Sequence, residues 1–481
     1  MTGEREPPGA AKEESKAEAT RRTVIVPLII GFAILMQTLD STVVATALPS
    51  MAVSLNEDPL SLNVALTAYL VGAAIFLPIS GWAADRFGAR TVFSAAIIVF
   101  ALSSLASGLS QNLTQLIVAR TVQGFGGALL MPVGRLVLLR TAPKAEFIRA
   151  ISLLTVPALL GPVLGPPLGG LIVTISSWRW VFLINTPIAL IGLVLVNLYI
   201  PNVREENAPT LDVRGLLLTA VALAGLAVGL GNLGRDQPPP QVVGALIVMG
   251  LVFSVFYLLH ARRRRQPIID LATFKVLTFR STTLGGLFTR MTIGATPYLL
   301  ALLLQVALGM SPLAAGLLTF AVAAGSLMMR TTAPPIIHRL GFKRLMIVNG
   351  VLTAGSLMLC ATFEAETPHA VILLVLAGHG FLRGLQLTCL NALAYADLSG
   401  EQLSSGSTIM GITQQLAQSL GIGLCATVVQ WFHMAGGAGP LSARDVSPAF
   451  IAIGAISLLS VLFFLRLPPN AGDEMTGRNV S

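Results

Sequence analysis

Fourteen apolar runs of about 20 residues or more divide the chain, and each is long enough to cross the hydrocarbon core of a bilayer as one helix. They lie near 23–49, 62–83, 92–110, 113–139, 148–174, 180–200, 214–234, 241–260, 280–308, 312–333, 343–363, 369–392, 404–433 and 447–466. The long run through 92–139 is divided by the polar turn Ser110-Gln111-Asn112. In lipid every backbone N–H and C=O must be satisfied within the protein, so spans of this length fold as helices. Composition agrees: 54% of the 481 residues are hydrophobic and 11% charged, against roughly 25% charged in an average soluble protein. A water-facing surface cannot be built from so few charges. The expected fold is therefore an all-α polytopic membrane protein with 14 transmembrane helices, and no separate soluble domain remains.

The net charge of +9 is explained by where the basic residues sit. With a cytosolic N-terminus, the even-numbered loops carry Arg86 and Arg90, then Arg140, Lys144 and Arg149, Arg204 and Arg214, the run Arg262 to Arg265 with Lys275, and Arg339, Lys343 and Arg344. The opposite loops hold only Arg179, Arg235 and Arg444 and display Glu57, Asp58, Glu364 and Glu366. This is the positive-inside asymmetry, and it puts both termini in the cytosol and the chain in the cell membrane. The four-arginine run reads as an anchor for anionic lipid headgroups rather than a nucleic-acid site. Cys360, Cys389 and Cys425 all fall inside apolar runs without paired or metal-type spacing, so no disulfide framework is expected.

An internal repeat organises the spans. GWAADRFGAR, Gly81 to Arg90, links spans 2 and 3, and PIIHRLGFKR, Pro335 to Arg344, links spans 10 and 11. Arg86 aligns with Arg339, Gly88 with Gly341, and Arg90 with Lys343. The copies are eight spans apart, so a six-span unit leaves two helices inserted between the halves. The expected division is a disordered cytosolic tail 1–22, a six-helix bundle 23–200, two inserted helices 201–265, a second bundle 266–467 and a tail 468–481. Parallel six-span repeats around a midplane cavity are transporter architecture.

Of the 22 acidic residues, only Asp40 lies well inside a span, and an intramembrane carboxylate is a functional-site candidate by default. Arg120 in span 4 is its expected partner: at 1.5 Å per residue the two lie roughly 14 and 10 Å from the outer ends of their helices. Gln123 is one turn from Arg120 on the same face, and Gln37 precedes Asp40 by nearly a turn. A carboxylate that gains and loses a guanidinium neighbour can carry a proton. An ion pair that only fixes packing is the alternative. In the signature loop, Asp85 is expected to latch onto the N-terminus of span 13 near Ser404 to Gly406, with Gly81 and Gly88 permitting close approach and Arg86 and Arg90 tethering the loop to carboxylates or lipid. Gly161, Gly165, Gly169 and Gly170 with Pro162, Pro166 and Pro167 give span 5 a bent, flat face that needs a close partner. The second bundle places Arg290, His379, Arg383, Asn391, Gln414 and Gln418 in its spans as candidate cavity residues, with a structural network as the alternative.

These motifs together resemble the major facilitator superfamily, and within it the 14-span drug:proton antiporters of the EmrB/QacA type. LDSTVVATALP from Leu39 is similar to that subfamily's first-helix signature, GWAADRFGAR to the superfamily's loop, RTVQGFGGA from Arg120 to the fourth-helix motif, and GPVLGPPLGG from Gly161 to the antiporter motif. WRWVFLINTP from Trp178 adds a further match, and the resemblance covers nearly the whole chain. It implies a major facilitator fold, an interface between the halves where span 5 meets Gly316, Ala321 and Gly325 of span 10, and antiport. The resemblance also sets a contrast: the familiar exporters of dications carry carboxylates in the penultimate helix, and span 13 has none.

An enzyme would need a nucleophile, paired acids or a metal cluster in the spans, and the histidines have no ligand spacing. No GxxxxGK[ST] loop serves a primary pump. A channel fits the repeat less well than alternating access. The expected function is proton-coupled export of small amphiphilic compounds, with an organic anion or metal chelate, or a uniporter or symporter on the same scaffold, as alternatives. The proton motive force takes the place of any cofactor, and a monomer working on a small-molecule substrate is expected.

Overall fold

The computed structural model describes residues 24–141, 147–202, 204–205, 210–232, 239–264, 267–437, 439–472 and 474. The expectations for the tail 1–22, most of the tail 468–481, Lys144, the Arg149 side chain, Arg235 and Arg265 lie outside them. The described residues form helices and no strand. In chain order the long helices are α1 (Val26–Leu55), α2 (Asn63–Phe87), α3 (Ala89–Gly108), α4 (Leu113–Thr141), α5 (Phe147–Ile175), α6 (Trp180–Tyr199), α7 (Val213–Gly231), α8 (Pro240–Arg263), α9 (Leu277–Ala307), α10 (Pro312–Leu340), α11 (Phe342–Thr362), α12 (His369–Tyr395), α13 (Gly400–Gly436) and α14 (Ala443–Phe464). Among the described residues, thirteen of them are long and apolar enough to cross a membrane. The exception is α13, which at 37 residues has ample length but carries Gln414, Gln415, Gln418 and Gln430.

Packing follows the repeat. In the first bundle α1 lies on α5 and α6, α2 on α4, and α3 on α4 and α6; in the second α9 lies on α13 and α14, α10 on α12, and α11 on α12 and α14. Each pair recurs eight helices later. The bundles meet along two seams, α5 against α10 and α2 against α13, which the same eight-helix shift exchanges. The aligned loop glycines occupy equivalent places. Gly88 (φ 92°) and Gly341 (φ 72°) each end one helix and begin the next, and each amide donates to the carbonyl four residues back. A side chain at that positive φ would be strained. Cys360, Cys389 and Cys425 are buried and unlinked.

The inserted helices stand outside the two bundles. Helix α7 packs on α8 and leans on α2 and α13, covering one seam, while α8 leaves most of its surface exposed. Their basic-end termini are bolted together. Asp212 caps α7 by accepting from the Gly215 amide at 3.0 Å, and its two oxygens lie 2.9 and 3.1 Å from His260 Nε2 on α8, with Arg264 at 3.5 Å. Tyr257 Oη donates to the Ile269 carbonyl and accepts from the Ile269 amide, tying in the segment that leads to α9.

Burial pushes the Asp212 carboxyl up, but the Gly215 amide, His260 and Arg264 outweigh it and hold the group below its ordinary 3.8. A depressed folded pKa adds stability above the unfolded value, and that stability drains as pH falls from 3.8 toward the lower folded value. Thermal denaturation in detergent between about pH 5 and pH 3 is expected to show a steeper loss in the wild type than in Asp212→Asn, which starts lower at about pH 5. Parallel curves would remove this bolt from the account.

Candidate functional site

A charged pair lies inside the first bundle. Asp40 on α1 and Arg120 on α4 are each 1% exposed, and Arg120 NH1 donates to Asp40 Oδ2 at 2.6 Å. Such a pair persists in a low-dielectric interior only if its remaining lone pairs and protons are also bonded. Asp40 Oδ1 accepts from Gln123 Nε2 and from Asn185 Nδ2, both at 2.9 Å. Arg120 donates further to Gln123 Oε1 at 2.7 Å and through Nε to the Ala65 carbonyl at 3.3 Å. Its guanidinium lies over the Tyr69 ring at 4.7 Å and the Phe182 ring at 5.5 Å. Gln37, half-buried, donates to Tyr69 Oη at 3.2 Å and so touches the edge of this cluster.

Sequence reasoning missed Asn185, Ser104 and Tyr69. Helix α6 is broken after Leu183, and Asn185 begins its second segment. Ser104 on α3 donates to the Phe182 carbonyl beside that break at 2.9 Å and accepts from Asn185 at 3.0 Å. The available signal was a lone amide within the apolar stretch WRWVFLINTP.

The other face of α1 lines the space between the bundles. Thr42 and Thr46 share a cavity with Pro162 and Pro166 of α5, Thr296 and Gln305 of α9, Thr319 of α10 and Arg383 of α12. Its volume of about 80 Å³ holds a few waters, against roughly 300–1,000 Å³ for sites that bind drug-sized ligands. Two hydrogen bonds bridge the halves at the end opposite the basic loops. Gln305 Nε2 donates to the Thr46 carbonyl at 2.9 Å and Tyr298 Oη to the Leu60 carbonyl at 3.4 Å, both across the halves. A π-helical turn, Leu302–Ala307, ends α9 and contains Gln305.

The glycine-proline face of α5 is divided between two partners. The expectation that it meets α10 holds only in part. A Cβ at Gly161 or Gly165 would strike the Thr38 or Thr42 side chain, and one at Gly169 would press on Val43 and Thr46, so this row seats α1. Only Gly170 abuts Pro312 and Leu313, while Gly316 abuts the Pro166 carbonyl. Gly325 packs against Ala377 of α12 instead of α5. Residues four apart cover one side of the helix, whereas Gly170 is 100° further round.

In this structure Asp85 makes a contact other than the expected latch, and the Ser404 side chain lies outside the described residues. Asp85 Oδ1 accepts from Arg140 NH2 at 2.6 Å, and Glu205 lies 3.5 Å from the same nitrogen. Asp85 thus stays within the first bundle, and none of its described contacts reaches α13. A full guanidinium charge outcompetes the partial charge of a helix N-terminus. Gly81 has open space where a Cβ would be, so no close approach depends on it, whereas the Asn202 side chain fills that position at Gly88. Arg86 is exposed and Arg90 half-buried, and among the described residues no carboxylate pairs with either.

In the second bundle Arg290 NH2 donates to Asn391 Oδ1 at 2.7 Å, and His379 Nδ1 lies 2.9 Å from Ser356 Oγ. Arg290 Nε and NH1, Arg383 Nε and His379 Nε2 are buried without a hydrogen-bond partner. Gln414 is exposed and Gln418 half-buried on α13, and neither bonds to these groups. The structure therefore joins Asp40, Arg120 and Gln123, brings Gln37 beside them, joins Arg290 to Asn391, and leaves the two glutamines of α13 apart.

Truncating one member of a buried ion pair strands the other charge, at a cost of about 3–5 kcal/mol. Arg120→Ala is expected to lower the unfolding temperature in detergent more than the double replacement Asp40→Asn/Arg120→Gln, which strands none. Equal losses would mean that the charges are not coupled.

The family model of the Major Facilitator Superfamily matches residues 30–266 and 282–478. A protein of Pectobacterium carotovorum named multidrug resistance protein MdtD is 36% identical over 451 residues, covering 93% of this chain and 96% of the relative. Its Escherichia coli O9:H4 namesake is 34% identical over 444 residues, covering 92% and 94%. Among solved structures, a POT family transporter in complex with 5-aminolevulinic acid aligns with a TM-score of 0.69 at 14% identity, covering 93% of this chain and 96% of that one. A D-xylose-proton symporter aligns at 0.66 with 17% identity, covering 93% and 98%. At those identities the likeness is one of fold. With the repeated bundles, the two exchanged seams and the family match, this chain belongs to the Major Facilitator Superfamily and is a multi-pass membrane transporter.

Proposed function

We propose that this transporter exports small amphiphilic compounds from the cytosol across the cell membrane in exchange for protons, with Asp40 as the proton carrier. The observation that carries the reading is the place of α1: Asp40 is buried against Arg120 on one face, while Thr42 and Thr46 line the inter-bundle cavity on the other. Asp40 and Thr42, two residues apart on a helix, point about 160° away from each other. Protonation of Asp40 cancels its attraction to Arg120 and loosens the first bundle's hold on α1. The helix then shifts along the small-residue face of α5, and the cavity wall moves with it.

The basic bias of the opposite loops supports an exterior position for the end bridged by Gln305 and Tyr298, which leaves the cytosolic side for cargo entry. The multidrug name of the relatives supports an efflux role. A proton motive force near 150 mV supplies roughly 3.5 kcal/mol per proton, enough to hold a gradient of a few hundredfold. Inverted vesicles with a pH indicator, challenged with cationic dyes and organic anions, are expected to show substrate-driven proton movement that Asp40→Asn abolishes. Uphill export by that variant at the wild-type rate would remove Asp40 from the coupling step.

A further inference from the structure

The second bundle holds buried positive charge without the carboxylates that would normally answer it. Arg290 is 1% exposed, and Asn391 satisfies only one of its nitrogens. Arg383 is the one charged residue lining the inter-bundle cavity. Its Nε has no partner, and no ion pair among the described residues includes either arginine. The contrast with the first bundle is internal to the molecule, because Arg120 is equally buried yet has a carboxylate at 2.6 Å and two further acceptors.

Arg290 is fully buried and Arg383 half-buried with its Nε out of reach of water, and a guanidinium desolvated without a counter-charge is expensive. Its retention at the wall of the inter-bundle space makes sense if the missing counter-charge arrives with the cargo. Building on the export reading above, we propose that Arg383 binds an anionic group of the cargo, so that the substrates are organic carboxylates or similar amphiphilic anions rather than cationic dyes. Thr296 and Thr319 line the same cavity with hydroxyls that donate to carbonyls of their own helices, and the prolines and Leu300 supply the apolar wall an amphiphile needs. Arg290 lies seven residues before Pro297 on α9, roughly 10 Å nearer the basic end. It adds to the positive field that draws an anion inward. The fork of a guanidinium matches a carboxylate with two parallel hydrogen bonds, a geometry that an ammonium cannot copy.

The test measures binding, which does not depend on proton coupling. Purified full-length protein is titrated at fixed pH with benzoate, with tetraphenylphosphonium and with chloride, reading ligand-induced thermal stabilisation. Benzoate is expected to stabilise the wild type and Asp40→Asn alike, to bind at least tenfold more weakly to Arg383→Gln, and to regain only part of its affinity in Arg383→Lys. Without ligand, Arg383→Gln is expected to melt no lower than wild type, since it removes a stranded charge; a residue that merely held the helices together would melt lower. Stabilisation by tetraphenylphosphonium or chloride alone, equal benzoate affinity in Arg383→Gln, or no stabilisation by benzoate would each overturn the assignment. Benzoate binding that survives while Asp40→Asn still exports uphill would instead count against the proton-carrier reading and leave this site standing.

Discussion

A charge inside lipid must find its counter-charge inside the protein, and the Asp40–Arg120 pair is where this chain meets that requirement. Four helices converge on it: α1 gives the carboxylate, α4 the guanidinium and Gln123, α6 Asn185, and α2 the Ala65 carbonyl and the Tyr69 ring. The first bundle is therefore organised around a polar centre. Because both partners are buried and nearly every bonding atom is used, neutralising one of them perturbs all four helices together. On the export reading proposed above, a proton taken up by Asp40 would act on α1 through this network.

The second bundle repeats the helix packing without repeating the charge balance. Among the described residues Arg290 and Arg383 have no carboxylate beside them, the buried acid Asp445 pairing with His433 at the far end of α14, and Asn349 donates to Gln386 at 2.9 Å. One bundle is thus self-compensated and the other is short of negative charge. The small-residue face of α5 stands between these roles. Gly161, Gly165 and Gly169 seat α1, which carries the ion pair, while Gly170 and Pro166 meet α10 across the seam. The same helix thus supports both α1 and the contact between the halves.

Much of the fold was legible because lipid leaves few choices. The fourteen long helices and the repeat offset of eight helices followed from apolar run length and from two similar loops, although among the described residues thirteen of the helices are long and apolar enough to span a membrane. The Asp40–Arg120 pairing was legible for a related reason: one acid in the spans leaves an intramembrane arginine at matching depth few other partners. What could not be read was rotational. Whether Gly170 shares a partner with Gly169 depends on 100° of helix phase, and whether Asp85 turns toward α13 or Arg140 depends on which counter-charge is nearer.

The sequence by itself therefore determined that the chain is a helical membrane protein built from two six-helix repeats and an inserted pair, since run length and loop chemistry are local properties. Only the tertiary structure decided which polar side chains share a site. Asn185 joined the ion pair because α6 breaks beside it, Gln305 bridged the halves from the π-helical end of α9, and Arg383 came to line the space between bundles without a carboxylate partner. Each of these depends on how helices far apart in sequence are rotated against one another, a consequence of packing that no single span encodes.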